Sequence, residues 1–139
     1  MPITVHATEG VLSGDAEQQV FAELTHAFLN RHQLVGNAFL TPNVIGEINV
    51  IPKGKSFAGG KPNDIVVIEL KVPSFALATP EQKQGFVADA TEIVSRATGG
   101  RHPKERIFVN MVHAIDGLWG IAGTTYTNTD LLDAVGRAG

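Results

Sequence analysis

Ile65-Val66-Val67-Ile68-Glu69-Leu70-Lys71-Val72, then Thr79-Pro80-Glu81-Gln82, then Arg106-Ile107-Phe108-Val109-Asn110-Met111-Val112-His113 decide how this chain folds. The first and last runs are short, apolar and rich in β-branched residues, which is strand chemistry. The middle run starts a helix. Thr79 is placed to cap it, Pro80 suits the first helical position, and Gln82 is placed to complete a capping box. Phe86, Val87, Ala90, Ile93 and Val94 then recur at helical spacing and make one apolar face. Gly99-Gly100 provides the stop. A strand, a crossover helix and a second strand predict a parallel pair.

The same plan is repeated upstream. A strand over residues 3–7 precedes a helix over about 15–31, whose Val20, Phe21, Leu24, Ala27 and Phe28 repeat the apolar spacing. A second strand follows over residues 44–51. Each half ends in a glycine-rich run, Ser56-Phe57-Ala58-Gly59-Gly60 and Leu118-Trp119-Gly120-Ile121-Ala122-Gly123, suited to a tight hairpin. The helices repeat at a longer offset than the tails, which gives the first half a long loop over about 33–43.

The expected fold is α+β. Two fused β-α-β units form a four-stranded sheet with both helices on one face, plus short hairpins. Residues 1–139 form one domain, with pseudo-repeat halves at about 2–60 and 64–123 and a tail over 124–139. In that tail, residues 124–129 read as extended and 130–135 as a short helix. The strands read as apolar on both sides, and no third layer exists within the chain. A second copy is the expected cover, in a closed homo-oligomer.

Composition narrows the function. Apolar residues make up 43% of the 139 and charged residues 18%, an ordinary globular balance. The net charge is −3 with no basic run, which argues against nucleic acid and anionic membranes as partners. There is no cysteine, hence neither disulfide nor thiolate chemistry. The histidines lack metal-site spacing, and the glycine pairs do not open helices in the dinucleotide pattern. No run reaches the roughly 18 apolar residues of a membrane span, and no secretory leader is visible. A cytoplasmic protein without cofactor is expected.

The chemistry points to the start, Met1-Pro2-Ile3-Thr4-Val5-His6. Removal of Met1 turns Pro2 into a secondary amine at the head of a strand. No side chain offers that group, which serves as a general base or as a nucleophile towards carbonyls. To be deprotonated at neutral pH it needs apolar burial or a neighbouring cation. A cation would also hold a substrate carboxylate and stabilise enolate charge.

The order Met-Pro-strand, β-α-β and glycine-rich hairpin resembles the tautomerase superfamily, over about Pro2 to Gly123. Gly117-Leu118-Trp119-Gly120-Ile121-Ala122-Gly123 is similar to the hairpin of 4-oxalocrotonate tautomerase. Glu9-Gly10 with Asp15-x-Glu17-Gln18 is similar to that family's first turn and helix start. Overall length and Thr25-His26 look more like the fused cis-3-chloroacrylic acid dehalogenase group. The resemblance implies a homotrimer with inward-facing sheets. It also implies Pro2 as the catalytic group, in a pocket shared with a neighbouring subunit. Arg106 aligns with a substrate-binding arginine of 4-oxalocrotonate tautomerase.

The departures from the family are equally definite. Val11 replaces an arginine. Leu70-Lys71-Val72-Pro73-Ser74-Phe75 lacks the dehalogenases' arginine pair, leaving Lys71 as a substitute cation without the bidentate fork. Ile121 falls where a water-directing acid is expected, and Asn110 where a tyrosine is. Pro2 is therefore the candidate catalytic residue, and Arg106, Lys71, His26, Asn110 and Trp119 are the candidate substrate-binding residues. Keto-enol isomerisation of a small 2-oxo or 2-hydroxy unsaturated carboxylate is the leading function. Hydration or dehalogenation of a three-carbon acid, with Pro2 as acid, is the first alternative. A non-enzymatic trimer, relic or binding protein, is the second.

Overall fold

The structure is a computed structural model that describes every residue, Met1–Gly139. Strand β1 (Pro2–Thr8) leads into helix α1 (Gly14–Arg31), strand β2 (Ile45–Ile51) and a small hairpin of β3 (Phe57–Ala58) and β4 (Lys61–Pro62). Strand β5 (Val66–Pro73), helix α2 (Pro80–Ala97) and strand β6 (Ile107–Ala114) follow. A second hairpin, β7 (Trp119–Ile121) with β8 (Thr124–Tyr126), then leads into helix α3 (Asn128–Arg137).

The four long strands form one sheet in the order β2-β1-β5-β6. β1 and β2 are parallel, as are β5 and β6, and the two pairs meet antiparallel where Val5 faces Ile68. The crossover helices account for the parallel pairs, since a short turn cannot return the chain in the same direction. This is the α+β architecture that the sequence predicts.

Both helices cover one sheet face. Ile3, Val5, Val66, Ile68, Leu70 and Val72 are almost fully buried beneath Val20, Leu24 and Phe28 of α1 and Phe86, Ala90 and Val94 of α2. Each such side chain stabilises the fold by about 1.5–3 kcal/mol. Phe28 and Phe86 meet edge to face, their centroids 6.4 Å apart. At the surface the Arg31 guanidinium forks onto Asp89 at 2.8 and 2.9 Å, tying the end of α1 to α2 across Gly85.

The helix signals act as read. Ser13 caps α1 by accepting from the Ala16 amide. Thr79 and Gln82 form the capping box of α2. Helix α3 is longer than its reading of 130–135, because Thr127 and Asp130 close a capping box at its start. The extended reading of 124–129 holds only for Thr124–Tyr126, which pair with Trp119–Ile121.

One expectation about the sheet is corrected. The strands are not apolar on both sides. Along β5 every second residue is buried, and the alternate positions carry Val67, Glu69 and Lys71 on the open face. Exposed Ile45, Phe108 and Val112 share that face with Glu47, His6 and Asn110, so it is mixed in character. No helix is long and apolar enough to cross a membrane.

Candidate active site at the chain start

The chain start is built into the fold. Met1 is 5% exposed and belongs to the hydrophobic core. Its amino group donates to the Asn43 carbonyl at 2.6 Å, and its carbonyl accepts from the Ile45 amide at 3.2 Å. Burial disfavours the ammonium form and pushes this amine down from about 8 to about 6.

Pro2 comes next, half-buried at the head of β1 and paired with Ile45 of β2. As a proline it gives the ladder no donor. On its other side Ile3 faces Leu70, and one step further the register sets Lys71 beside Pro2. Alternation puts Pro2 and exposed Lys71 on the open sheet face. Asn110 lies on that face too, two strands away and paired with Glu69. Two strand spacings separate it from β1 by roughly 10 Å.

A loop over residues 36–44 positions the acceptor for the amine. Asn37 is buried, and its side-chain oxygen accepts from the Phe39 and Leu40 amides at 3.1 and 2.9 Å. Its Nδ2 donates to the Val135 carbonyl of α3 at 3.0 Å. Asn43 Nδ2 in turn donates to the Phe39 carbonyl at 2.8 Å. Phe39 stacks obliquely on Tyr126 at 6.2 Å, and Tyr126 is the hairpin partner of Trp119. Trp119 is half-buried against the core. Loop, hairpin and α3 are thus linked to one another and, through Asn43, to the chain start.

Two candidates stand elsewhere in the single chain. Arg106 directly precedes Ile107, whose partner is Val66, so it sits at the far end of the sheet from Pro2. Its Nη1 donates only to the Glu105 carbonyl. His26 is exposed on α1, in a cleft with Glu23, Asn30, Asp89, Glu92 and Arg96. The helix layer carries that cleft, and the structure does not bring His26 to Pro2. Leu24 and Phe28 take the inward face of the helix and leave His26 turned to solvent.

The positions that depart from the resemblance are structurally ordinary. Val11 packs against the core in the turn after β1, and Ile121 is a half-buried hairpin residue. No cluster of three metal-ligating side chains occurs. Asn37, Asn43 and Ile45 were not legible as site residues. Two of them act through main-chain atoms, which carry no side-chain signature, and Asn37 reads as an ordinary turn residue.

Residues 67–128 match the family described as Tautomerase enzyme. That match lies in the second half of the chain and covers 62 of its 139 residues. A comparison with curated protein sequences gives no match. Among solved structures, Pt0534 inactivated by 2-oxo-3-pentynoate superposes with a TM-score of 0.75 at 20% identity, covering 94% of this chain and 98% of that one. Native fused 4-OT gives 0.73 at 20% identity, covering 90% and 95%. N1, a member of the cis-3-chloroacrylic acid dehalogenase family, gives 0.73 at 19% identity, covering 95% and 89%. At these identities the superpositions speak to the tautomerase fold.

Proposed function

We propose that this chain is a cofactor-independent isomerase of the tautomerase superfamily, with Pro2, freed by removal of Met1, as its general base. The substrate class is a small 2-oxo or 2-hydroxy unsaturated carboxylate. Pro2 takes the proton of the enol and returns it to a carbon of the conjugated chain. The observation that carries this reading is the buried chain start. Enclosure of the chain start by apolar core residues disfavours the ammonium form of an amine there.

Lys71 is the nearest cation by register and is assigned the substrate carboxylate. Asn110 lies on the same face as a donor to substrate oxygen, and Trp119 serves as an apolar wall. Solved structures of fused 4-OT include a symmetric and an asymmetric trimer. We read the open face of the present sheet as the contact for a similar homotrimer, which would let Arg106 of one copy approach Pro2 of another. On this reading residues 1–139 are one domain, with pseudo-repeat halves at about 2–60 and 64–123 and a tail over 124–139. Hydration or dehalogenation fits less well, because Ile121 cannot direct water.

The test has two parts. Intact mass of untagged protein is expected to lack one methionine. Pro2→Ala is expected to reduce ketonisation of a small enol acid, followed by proton NMR, at least a hundredfold, in keeping with the usual loss on removing a general base. Ketonisation at the wild-type rate in Pro2→Ala would sink the proposal and favour a non-enzymatic trimer.

A further inference from the structure

Met1 makes three interactions at the head of β1. The Ile45 amide donates to its carbonyl at 3.2 Å, the Asn43 carbonyl accepts from its amine at 2.6 Å, and the core encloses its side chain to 5% exposure. The Met1 carbonyl carbon is bonded to the Pro2 nitrogen, so all three converge on the atom assigned as the base. Ile45 N–H and the Asn43 carbonyl keep their places in the backbone whether or not Met1 stays. Ile45 is 57% exposed, so once Met1 is gone its N–H is open to water or to a bound ligand.

We propose that Met1 stands where the substrate binds, and that the Ile45 main-chain N–H is the donor for the substrate's 2-oxygen. This rests on the reading of Pro2 as the free catalytic amine. The Asn43 carbonyl oxygen, which faces the same place, disfavours a carboxylate there. The carboxylate therefore turns to Lys71 on the open face. The rest of the substrate follows the Met1 side chain into the core, which selects an unbranched apolar chain of about four heavy atoms, as in methionine itself.

The step balances without a co-reactant. The enol O–H bond breaks and its proton passes to the Pro2 nitrogen. The electron pair moves through the conjugated chain while the Ile45 N–H holds the charge on the 2-oxygen. A carbon of that chain then takes the proton from Pro2, and the oxygen is left as a ketone. A donor already aimed at the developing charge needs no reorganisation during the step.

Binding tests this separately from turnover. Processed, 15N-labelled protein is titrated with 2-oxohexanoate, pyruvate and 3-methyl-2-oxobutanoate. The Ile45 amide is expected to shift with 2-oxohexanoate, which should bind at least tenfold more tightly than the short and the branched acid. Ile45→Pro removes the donor at the first residue of a strand, where proline is tolerated. It should weaken 2-oxohexanoate binding at least tenfold, and pyruvate, which carries the same 2-oxygen, by a similar factor. A tagged chain, in which Met1 stays in place, is expected to bind none of the three.

Binding of 2-oxohexanoate with an unmoved Ile45 amide would overturn the donor assignment, as would equal affinity for all three acids. Neither result touches the base. Loss of activity in Pro2→Ala reports on that reading by itself. If Ile45→Pro fails to fold, the titration of the native amide still decides.

Discussion

Pro2 and Arg106 stand at opposite ends of one four-stranded sheet. Pro2 heads β1, which runs antiparallel to β5, and Arg106 precedes β6, which runs parallel to β5. The length of a seven-residue strand, roughly 20 Å, lies between them. No rotamer of Arg106 spans that distance within one chain. If both serve one pocket, they come from different copies. Pro2→Ala and Arg106→Ala proteins should therefore each be inactive, and mixing after mild dissociation should restore part of the activity. Restoration that never exceeds the sum of the two single variants would show that Arg106 plays no part across the contact.

Gly46 is the one strand glycine that tolerates no side chain. A Cβ there would collide with the Ile3 carbonyl oxygen and with the tip of the Phe21 ring. The ring could turn aside, but the carbonyl is held in the β1–β2 ladder. Gly46→Ala should destabilise the fold by about 2–4 kcal/mol, the range of overpacking and a broken ladder together. Urea unfolding checks this. A midpoint within roughly 0.2 M of wild type, the usual scatter of such fits, would contradict the packing.

His32 links stability to pH. Burial holds its imidazole below the ordinary value of about 6.5. Its Nε2 accepts from the Leu77 amide at 3.3 Å, and its ring meets Phe28 edge to face. The unfolded chain then binds a proton that the folded chain refuses, between the lowered value and about 6.5. Stability from the neutral ring is fully present above about 6.5 and is lost as pH falls through that window. The drop in unfolding free energy between pH 7.5 and pH 5.5 should shrink in His32→Gln. An unchanged drop would place its origin elsewhere.

Much of the architecture was legible because it rests on local rules. The spacing of Phe86, Ala90, Ile93 and Val94 fixes the inward face of α2, and Thr79 with Gln82 fixes its start. The glycine pair Gly59-Gly60, both at positive φ, turns the small hairpin after β3. The open sheet face was misread because Ile65 to Ile68 is an unbroken apolar run. The alternation that exposes Glu69 and Lys71 becomes clear only once β5 is placed beside α2. His26 falls outside the inward helix face set by Leu24, Ala27 and Phe28 and stands exposed. The details of the site were beyond sequence reading for another reason: Asn43 and Ile45 act through backbone atoms, and Asn37 joins segments almost a hundred residues apart.

The enclosure of Met1 sets an order of events in the life of the chain. An aminopeptidase cannot reach a methionine that is 5% exposed and held between Asn43 and Ile45. If Pro2 is the base as proposed, trimming has to happen while the polypeptide is still being made, before β2 aligns with β1 and before α3 locks the loop through Asn37 and Val135. At ribosomal speeds of about 5–20 residues per second, the whole chain of 139 residues takes roughly 7–28 seconds. A copy that folds too soon seals its own amine behind an amide. Enzyme and inert twin would then differ by one residue and share the same shape, and their ratio would record how quickly each nascent chain met the peptidase.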